Sequence, residues 1–428
     1  MTTTTEKHTT EKPTLPAEEE HHSLAEAFKG QPRAVWVTAF AAVIAFMGIG
    51  LVDPILNTIR EELNAPPSKL TLLFAVYLGV QVIAMLITGW AAYRYGPKRT
   101  LTVGLVLIVL AAGISTFAGN IDHLIAMRVF WGLGNALFMA TALAFIVGAA
   151  KGGQHGAILL YEAALGVGLA VGPLLGALLG AWTWRAPFAG TAVLMLIGAV
   201  LCAFMLPSDG PRSERVSVSI VDPLKALRNR TLLLTSIGSA FYTGALFTVI
   251  AYAPLAMGLK PIPAGIVFFG WGLLTALSGV FVGPKLAEKI GQRGGVMTAI
   301  AGYGIVMALA AVGVATDQVW LTGLAIVLSG LPSGILNTLF TGVAMSSADP
   351  NKPRSVASAG YSFLRWMGGA ASAVLVAYLA EWFAPSAPFW FAVGYCAVAV
   401  IAVGFVKSKK AESHHVDEDA ALVGAEEF

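Results

Sequence analysis

Charge is scarce in this chain: Asp, Glu, Lys and Arg make up 12% of its 428 residues, about half of what a water-soluble domain carries. With 57% hydrophobic residues and a mean hydropathy of +0.75, that excludes a soluble globular protein. Cysteine is nearly absent. Cys202 and Cys396 both lie in apolar stretches with no metal-type spacing and no partner in an oxidising loop, which excludes a disulfide framework or a thiolate metal centre and leaves the two without an assigned function. No Ser/His/Asp, metal-ligand or nucleotide-binding constellation occurs, and the seven histidines fall outside the apolar stretches. The glycine-rich strings lack the strand and helix context of a phosphate loop, so an enzyme is not expected. No basic run is long enough to ask for nucleic acid; the net charge of +3 is spread over short loops, where anionic headgroups account for it. Residues 1–33 are polar, rich in Thr, Glu and His, and lack the charged start, short apolar core and cleavage site of a signal peptide.

What the chain has in abundance is long apolar runs. Windows between charged or Pro/Gly-rich breaks predict spans near 35–57, 70–91, 100–118, 124–147, 157–181, 188–206, 231–256, 264–283, 295–315, 320–345, 356–380 and 388–406, each near the length a bilayer needs. The expected fold is an all-α polytopic membrane protein of twelve transmembrane helices in two six-helix halves. The divisions are a disordered tail (1–33), a first half (34–206), a linker (207–230), a second half (231–406) and a second tail (407–428). Positive charge is retained on the cytoplasmic side during insertion. The tails and even-numbered loops hold 21 of the 27 Lys and Arg residues, the opposite loops only Arg60, Lys69, Arg185 and Lys260, and two lie within spans. Both termini and the linker are therefore expected in the cytoplasm.

The two halves carry an internal echo. Gly89-Trp-Ala-Ala-Tyr-Arg-Tyr-Gly-Pro-Lys-Arg99 follows the second span and Pro284-Lys-Leu-Ala-Glu-Lys-Ile-Gly-Gln-Arg293 the eighth; a shift of 195 residues aligns Ala92 with Ala287, Arg94 with Lys289, Gly96 with Gly291 and Lys98 with Arg293. A fainter echo at 200 aligns Tyr161 and Gly168 with Tyr361 and Gly368. Parallel pseudo-repeats of a two-half transporter explain both. In the fifth span, Gly168-Leu-Ala-Val-Gly172-Pro173-Leu-Leu-Gly176 combines glycines that admit a neighbouring helix with a proline that removes a main-chain hydrogen bond in mid-span.

These motifs resemble those of the major facilitator superfamily. The basic loops are similar to its Gly-x-Leu-Ala-Asp-Arg-x-Gly-Arg-Lys signature, Arg128-Val-Phe-Trp-Gly132-Leu-Gly134 to the fourth-helix motif, and the Gly168 to Gly176 nonapeptide to the antiporter motif of the twelve-helix drug:proton antiporters. The resemblance implies a latch between the cytoplasmic ends of the halves built on Gly89, Arg94, Gly96, Lys98, Glu288, Lys289, Gly291 and Arg293. The first copy departs from the family by placing Tyr93 where the acid belongs; the second keeps Glu288 but begins with Pro284 in place of Gly.

An ionisable side chain in the bilayer costs roughly 2.5 to 3.5 kcal/mol on insertion scales, so each one needs a reason. The spans contain Asp53, Glu162, Arg128 and Arg365, with Glu381 at a helix end. Asp53 and Arg128 sit at matching depth near the outer ends of spans 1 and 4, helices that both line the cavity in the fold the resemblance implies. An ion pair there, broken by conformational change or by substrate, would switch proton affinity; the alternative is Asp53 capping span 1 in water. Glu162, placed about a turn inside span 5, is the rival proton site, with snorkelling or a loop base as its structural alternative. Arg365 either holds an anionic substrate or braces helix-end carbonyls.

Aromatics and isolated amides supply the expected lining: Phe241, Tyr242 and Phe247 on span 7, Trp271 on span 8, Gln81 on span 2, Asn135 on span 4 and Asn337 on span 10. Such a surface suits a partly apolar, amphipathic ligand, although packed core or lipid contact is the usual fate of a Phe or Trp. The function expected is export of drug-like or amphipathic molecules in exchange for protons, by alternating access, from a monomer in a bacterial inner membrane. Its partners would be the bilayer, a small-molecule substrate and protons, with no cofactor or metal beyond the proton gradient and no nucleic acid. A metabolite carrier of the same fold, for an organic anion at Arg365 or a lipid precursor, is the first alternative. A non-transporting receptor or assembly scaffold is the second.

Overall fold

The computed structural model describes residues 30–51, 55–150, 153–209 and 217–406, and among them every regular element is helical. In chain order these are α1 (Arg33–Gly50), α2 (Leu56–Glu62), α3 (Pro67–Tyr95), α4 (Pro97–Thr116), α5 (Ile121–Ala149), α6 (Gly153–Gly180) and α7 (Ala186–Met205). After the linker come α8 (Asp222–Ala226), α9 (Arg230–Met257), α10 (Pro261–Leu277), α11 (Gly283–Ala315), α12 (Val319–Ser346), α13 (Arg354–Trp382) and α14 (Ala387–Gly404). Proline recurs at the starts, as Pro67, Pro97, Pro261 and Pro284, where a missing N–H costs nothing and φ is already helical. Asn120 and Asn229 cap α5 and α9 by accepting from amides of the first turn.

Eleven stretches of the described residues are long and apolar enough to cross a membrane. One of them, Ile262–Ala315, runs for 54 residues, about 80 Å of helix against a hydrocarbon core of about 30 Å. It breaks at Gly291, whose φ of 75° and ψ of 159° are not helical. That break divides it into two crossings, consistent with the twelve spans predicted. The first half turns in the same way at Gly96, with φ 98° and ψ 151°, between α3 and α4. The two glycines aligned by the 195-residue shift thus share one left-handed conformation, which a side chain would strain.

Packing repeats as well. In the first half α1 packs on α6 and α7, α3 on α5, and α4 on α5 and α7; in the second α9 packs on α13 and α14, α10 on α12, and α11 on α12 and α14. The two sets correspond helix for helix. They meet mainly where α6 lies on α10 and α13 on α3 and α5. Gly168, Gly172 and Gly176 press α6 onto α1 so closely that a Cβ on each would run into the carbonyl oxygens of Val43, Met47 and Leu51 in turn. The four-residue step on both helices is one ridge seated in one groove. Pro173 follows the middle glycine, and its ring lies against Gly50 at the end of α1.

Between α10 and α11 the chain widens into a π-turn, Ser278–Val282. Thr338 of α12 donates to the Gly279 carbonyl, so that backbone group of the wider turn is satisfied from α12, and Ser278 in turn donates its hydroxyl to the Gly330 carbonyl of α12. In the linker, Asp222 accepts from the Ser219 amide at 2.9 Å and lies 3.4 Å and 3.5 Å from the ammonium groups of Lys225 and Lys352. The Ser219 amide chiefly, helped by both lysines, holds its carboxyl below the usual carboxylate range. This depressed acid keeps the linker tied to the α12–α13 loop at neutral pH, and the tie is lost only as pH falls through the lowered value.

The α1–α6 groove yields a direct test. Gly172→Val should cost ~1–3 kcal/mol by overpacking and lower the thermal unfolding midpoint of the purified protein. Gly79→Val, at a position where a Cβ meets open space, should leave that midpoint nearly unchanged.

Candidate functional site

The polar centre of the molecule is a pair the sequence presents 203 positions apart. Glu162 lies nine residues into α6 and Arg365 eleven into α13, about 14 Å and 16 Å along their helices. Their side chains meet between the halves with Nη1 to Oε1 at 3.7 Å, and both residues are about 5% exposed or less. This corrects two expectations. Glu162 is too deep to snorkel or to take a loop base, because α6 starts earlier than the apolar window suggests; and Arg365 is not a lone base, since a carboxylate from the other half faces it.

Residues of the second half hold the pair. Thr341 on α12 donates to Glu162 Oε1 at 2.6 Å, Arg365 Nη2 donates to Asn337 Oδ1 at 2.9 Å, and Nη1 lies 3.5 Å from both Thr341 Oγ1 and the Tyr361 hydroxyl. Tyr361 also meets Ser239 of α9 at 3.2 Å. The other member of the weaker repeat, Tyr161, points its hydroxyl to the Met139 carbonyl at 3.5 Å. Three buried atoms of the network lack a partner among the described residues: Glu162 Oε2, Arg365 Nε and Asn337 Nδ2. Unused polar atoms on a paired charge have capacity for a proton, a water or a substrate group.

A second polar cluster lies between α3 and α5. The Arg128 guanidinium sits 4.8 Å from the Trp131 ring, 5.8 Å from Tyr77 and 5.9 Å from Phe188, a desolvated cation held on aromatic faces. Asn135 donates to the Tyr77 hydroxyl, and Gln81 donates to Met139 Sδ at 3.4 Å. Asp53, the partner expected for Arg128, lies outside the described residues.

The aromatic lining divides in two. Phe247 joins Arg128, Ile49 and Phe74 around a cavity of about 20 Å³, and Trp271 joins Gly50, Pro173 and Phe268 around one of about 30 Å³. Each has room for a water or two. Phe241, by contrast, packs edge-on against Tyr395 of α14. Tyr242 stacks on Phe340 and donates to the Ser333 carbonyl at 3.2 Å. Those two rings serve packing inside the second half.

On the face that carries most Lys and Arg, here the basic face, a cavity of about 710 Å³ opens between α3, α5, the start of α13 and the linker. Here the latch expected from the sequence is built differently. Arg94, Glu288 and Lys289 are exposed, and Gly89 is not at a close approach, since a Cβ there would meet the Ser355 carbonyl and Val218 only at ordinary contact distance. The acid missing at Tyr93 has a counterpart in Asp209, whose carboxylate accepts from the amides of Lys98 at 2.9 Å and Arg99 at 3.1 Å, at the start of α4. It fills the space a Cβ on Gly96 would need. Lys98 Nζ donates to the Leu206 carbonyl, and in the second copy Arg293 donates to the Gly404 carbonyl. The halves are joined instead by Arg354, which donates to the Val147 carbonyl at 2.8 Å in the last turn of α5, and by Ser358, which donates to the Ala140 carbonyl at 3.2 Å. A cation at a helix C-terminus is the favourable sense of the dipole. Sequence reading missed Asp209, Thr341, Arg354 and Tyr361 as a group, although the Tyr161/Tyr361 register was a signal for the last.

A family model of the Major Facilitator Superfamily matches residues 38–373. The chain belongs to that superfamily. The multidrug efflux protein YfmO of Bacillus subtilis is 43% identical over 359 residues, covering 84% of this chain and 89% of that one. The quinolone resistance protein NorA of Staphylococcus aureus is 26% identical over 230 residues, covering 53% and 56%. Among solved structures, the human organic anion transporter MFSD10 (TETRAN) matches with a TM-score of 0.70 at 14% identity, covering 87% of this chain and 99% of that one. At that identity the match speaks for the fold alone. It is the superfamily's two-half arrangement that places Glu162 and Arg365 on opposite sides of one interface.

Charge bookkeeping at this pair makes a test. Glu162→Gln or Arg365→Gln alone leaves one buried charge unpaired and should cost about 3–5 kcal/mol, read as a lower unfolding temperature. The double variant, with neither charge, should recover most of the loss.

Proposed function

We propose that this protein is a proton-coupled secondary transporter that exports amphipathic, drug-like molecules by alternating access, with its basic face and both termini in the cytoplasm. The observation that carries this reading is the Glu162–Arg365 pair, buried between two halves that must separate there for a substrate to pass. Each charge stabilises the other only while the halves are together. Opening exposes the carboxylate to water and to protons; protonation removes the reason for Arg365 to stay, and closure restores it once the proton has left. Such a group changes proton affinity with conformation, which is what coupling requires. The similarity to YfmO and NorA supports drug-like cargo. Phe247 and Trp271, facing small cavities between the halves, offer the apolar surface that cargo would need when the path widens.

The proton site is Glu162 in this reading, with Asp53 and Arg128 as the other candidate pair. The α6–α10 and α3–α13 contacts are the seams that alternate. The lining includes Gln81, Asn135 and Asn337, polar side chains set among apolar ones. The proton gradient alone supplies the energy, and one chain holds the whole path.

Purified protein in liposomes with an imposed pH gradient should move protons when lipophilic cations or neutral drugs are added. Glu162→Gln should abolish that proton movement while leaving passive, gradient-independent exchange. If Asp53→Asn abolishes it and Glu162→Gln does not, the proton site is at the Asp53 and Arg128 end. Proton flux at wild-type level in both variants removes the coupling mechanism.

A further inference from the structure

The cavity of about 710 Å³ on the basic face is as large as a site for a drug-sized molecule, and its walls are chemically divided. One side is apolar, made by Ala92, Ala144, Phe145, Ala149 and Val218. The other presents Lys98 from the first half and Arg354 from the second. Both bases spend a hydrogen bond on a neutral carbonyl, Leu206 for the ammonium and Val147 for the guanidinium. That uses one donor of three and one of five. Among the described residues neither has a carboxylate within ion-pair distance. The nearest acid on the wall, Asp209, is committed to the amides of Lys98 and Arg99. Thr141, 1% exposed, lines the same cavity with a hydroxyl that has no partner among the described residues. Retention of Lys and Arg on the cytoplasmic side explains basic residues in these loops. It does not explain two bases from different halves on the wall of one cavity, neither with a carboxylate partner among the described residues.

We infer that this cavity is a binding site for an anionic amphiphile, a carboxylate, sulfonate or phosphate ester whose head lies between Lys98 and Arg354 and whose apolar body lies along Ala144, Phe145 and Ala149. Charge-assisted hydrogen bonds to the head and burial of the tail select the class together; a cation of the same length meets two like charges against the single carboxylate of Asp209, whose oxygens are held by the Lys98 and Arg99 amides. Two sources share this chemistry, a free organic anion arriving from the water and an anionic phospholipid from the adjoining leaflet. The inference deepens the transport reading by naming a ligand class, and rests on that reading only in taking the basic face as cytoplasmic.

The test uses the full-length protein in phosphatidylcholine nanodiscs and two probes of equal length and opposite charge, octanesulfonate and octyltrimethylammonium, with empty discs subtracted. Octanesulfonate should bind, and Lys98→Gln with Arg354→Gln should weaken it about tenfold or more, while the cation binds weakly to both forms. Because Arg354 also joins the halves, Gly148→Trp provides a charge-neutral second variant: a Cβ on Gly148 meets open space in this cavity, so the indole should fill it and abolish octanesulfonate binding with the fold intact. Adding phosphatidylglycerol to the discs distinguishes the sources; displacement of octanesulfonate supports the lipid, and unchanged binding supports the free anion. Equal affinity for both probes, or octanesulfonate binding that neither Gly148→Trp nor the double variant changes, overturns the site. Flux of lipophilic compounds without octanesulfonate binding overturns this site and leaves transport standing; binding without flux does the reverse.

Discussion

Everything central to this molecule depends on two charges that could not stay in a bilayer alone. Glu162 and Arg365 are tolerable because each is buried against the other, and because Thr341, Asn337 and Tyr361 supply part of the hydrogen bonding that water would have given. Since one belongs to each half, the electrostatic cost is offset only when the halves are packed together at this depth. A contact that stabilises one arrangement and penalises its loss is the kind of group whose proton affinity depends on conformation, which the proposed coupling requires.

Around that pair the packing inside the first half differs from the packing at the basic face, while the α6–α10 seam between the halves is also glycine-packed, through Gly166 and Gly272. Where helices of one half meet, glycines bring backbones into direct contact, as along α1 and α6, and produce stiff bodies. Where the halves meet at the basic face, the contacts are a few hydrogen bonds to carbonyls, from Arg354 and Ser358, each worth about a kcal/mol or two. Seams of this kind can open without either half losing its interior. The larger cavity lies beside those weak contacts, and the cavities lined by Phe247 and Trp271 hold little more than a water.

The departures from the family pattern are informative at the level of atoms. Tyr93 stands in for an acid in the first basic loop, yet the amides at the start of α4 still receive a carboxylate, from Asp209 at the entry to the linker. The demand for negative charge at a helix N-terminus is set by the backbone; which residue meets it depends on what the chain brings nearby. Arg354 obeys the same electrostatics in the opposite sense.

The sequence by itself determined the class of solvent, the crossings and the repeat, because those depend on properties local to each segment. Scarce charge and long apolar runs require a bilayer, and a glycine in each basic loop marks a turn that needs positive φ. The groove on α6 was readable for the same reason, as a four-residue spacing on a single helix. Tertiary structure alone decided which buried charges face one another. Glu162 and Arg365 looked like an isolated acid near a helix end and an isolated base, since one-dimensional windows misjudge where a helix begins by a turn or more and carry no register between halves. Phe241 and Tyr242 had the same composition-level credentials as Phe247 and Trp271, and only rotation about the helix axis, fixed by packing against α14 and α12, separated packing residues from those that face a cavity.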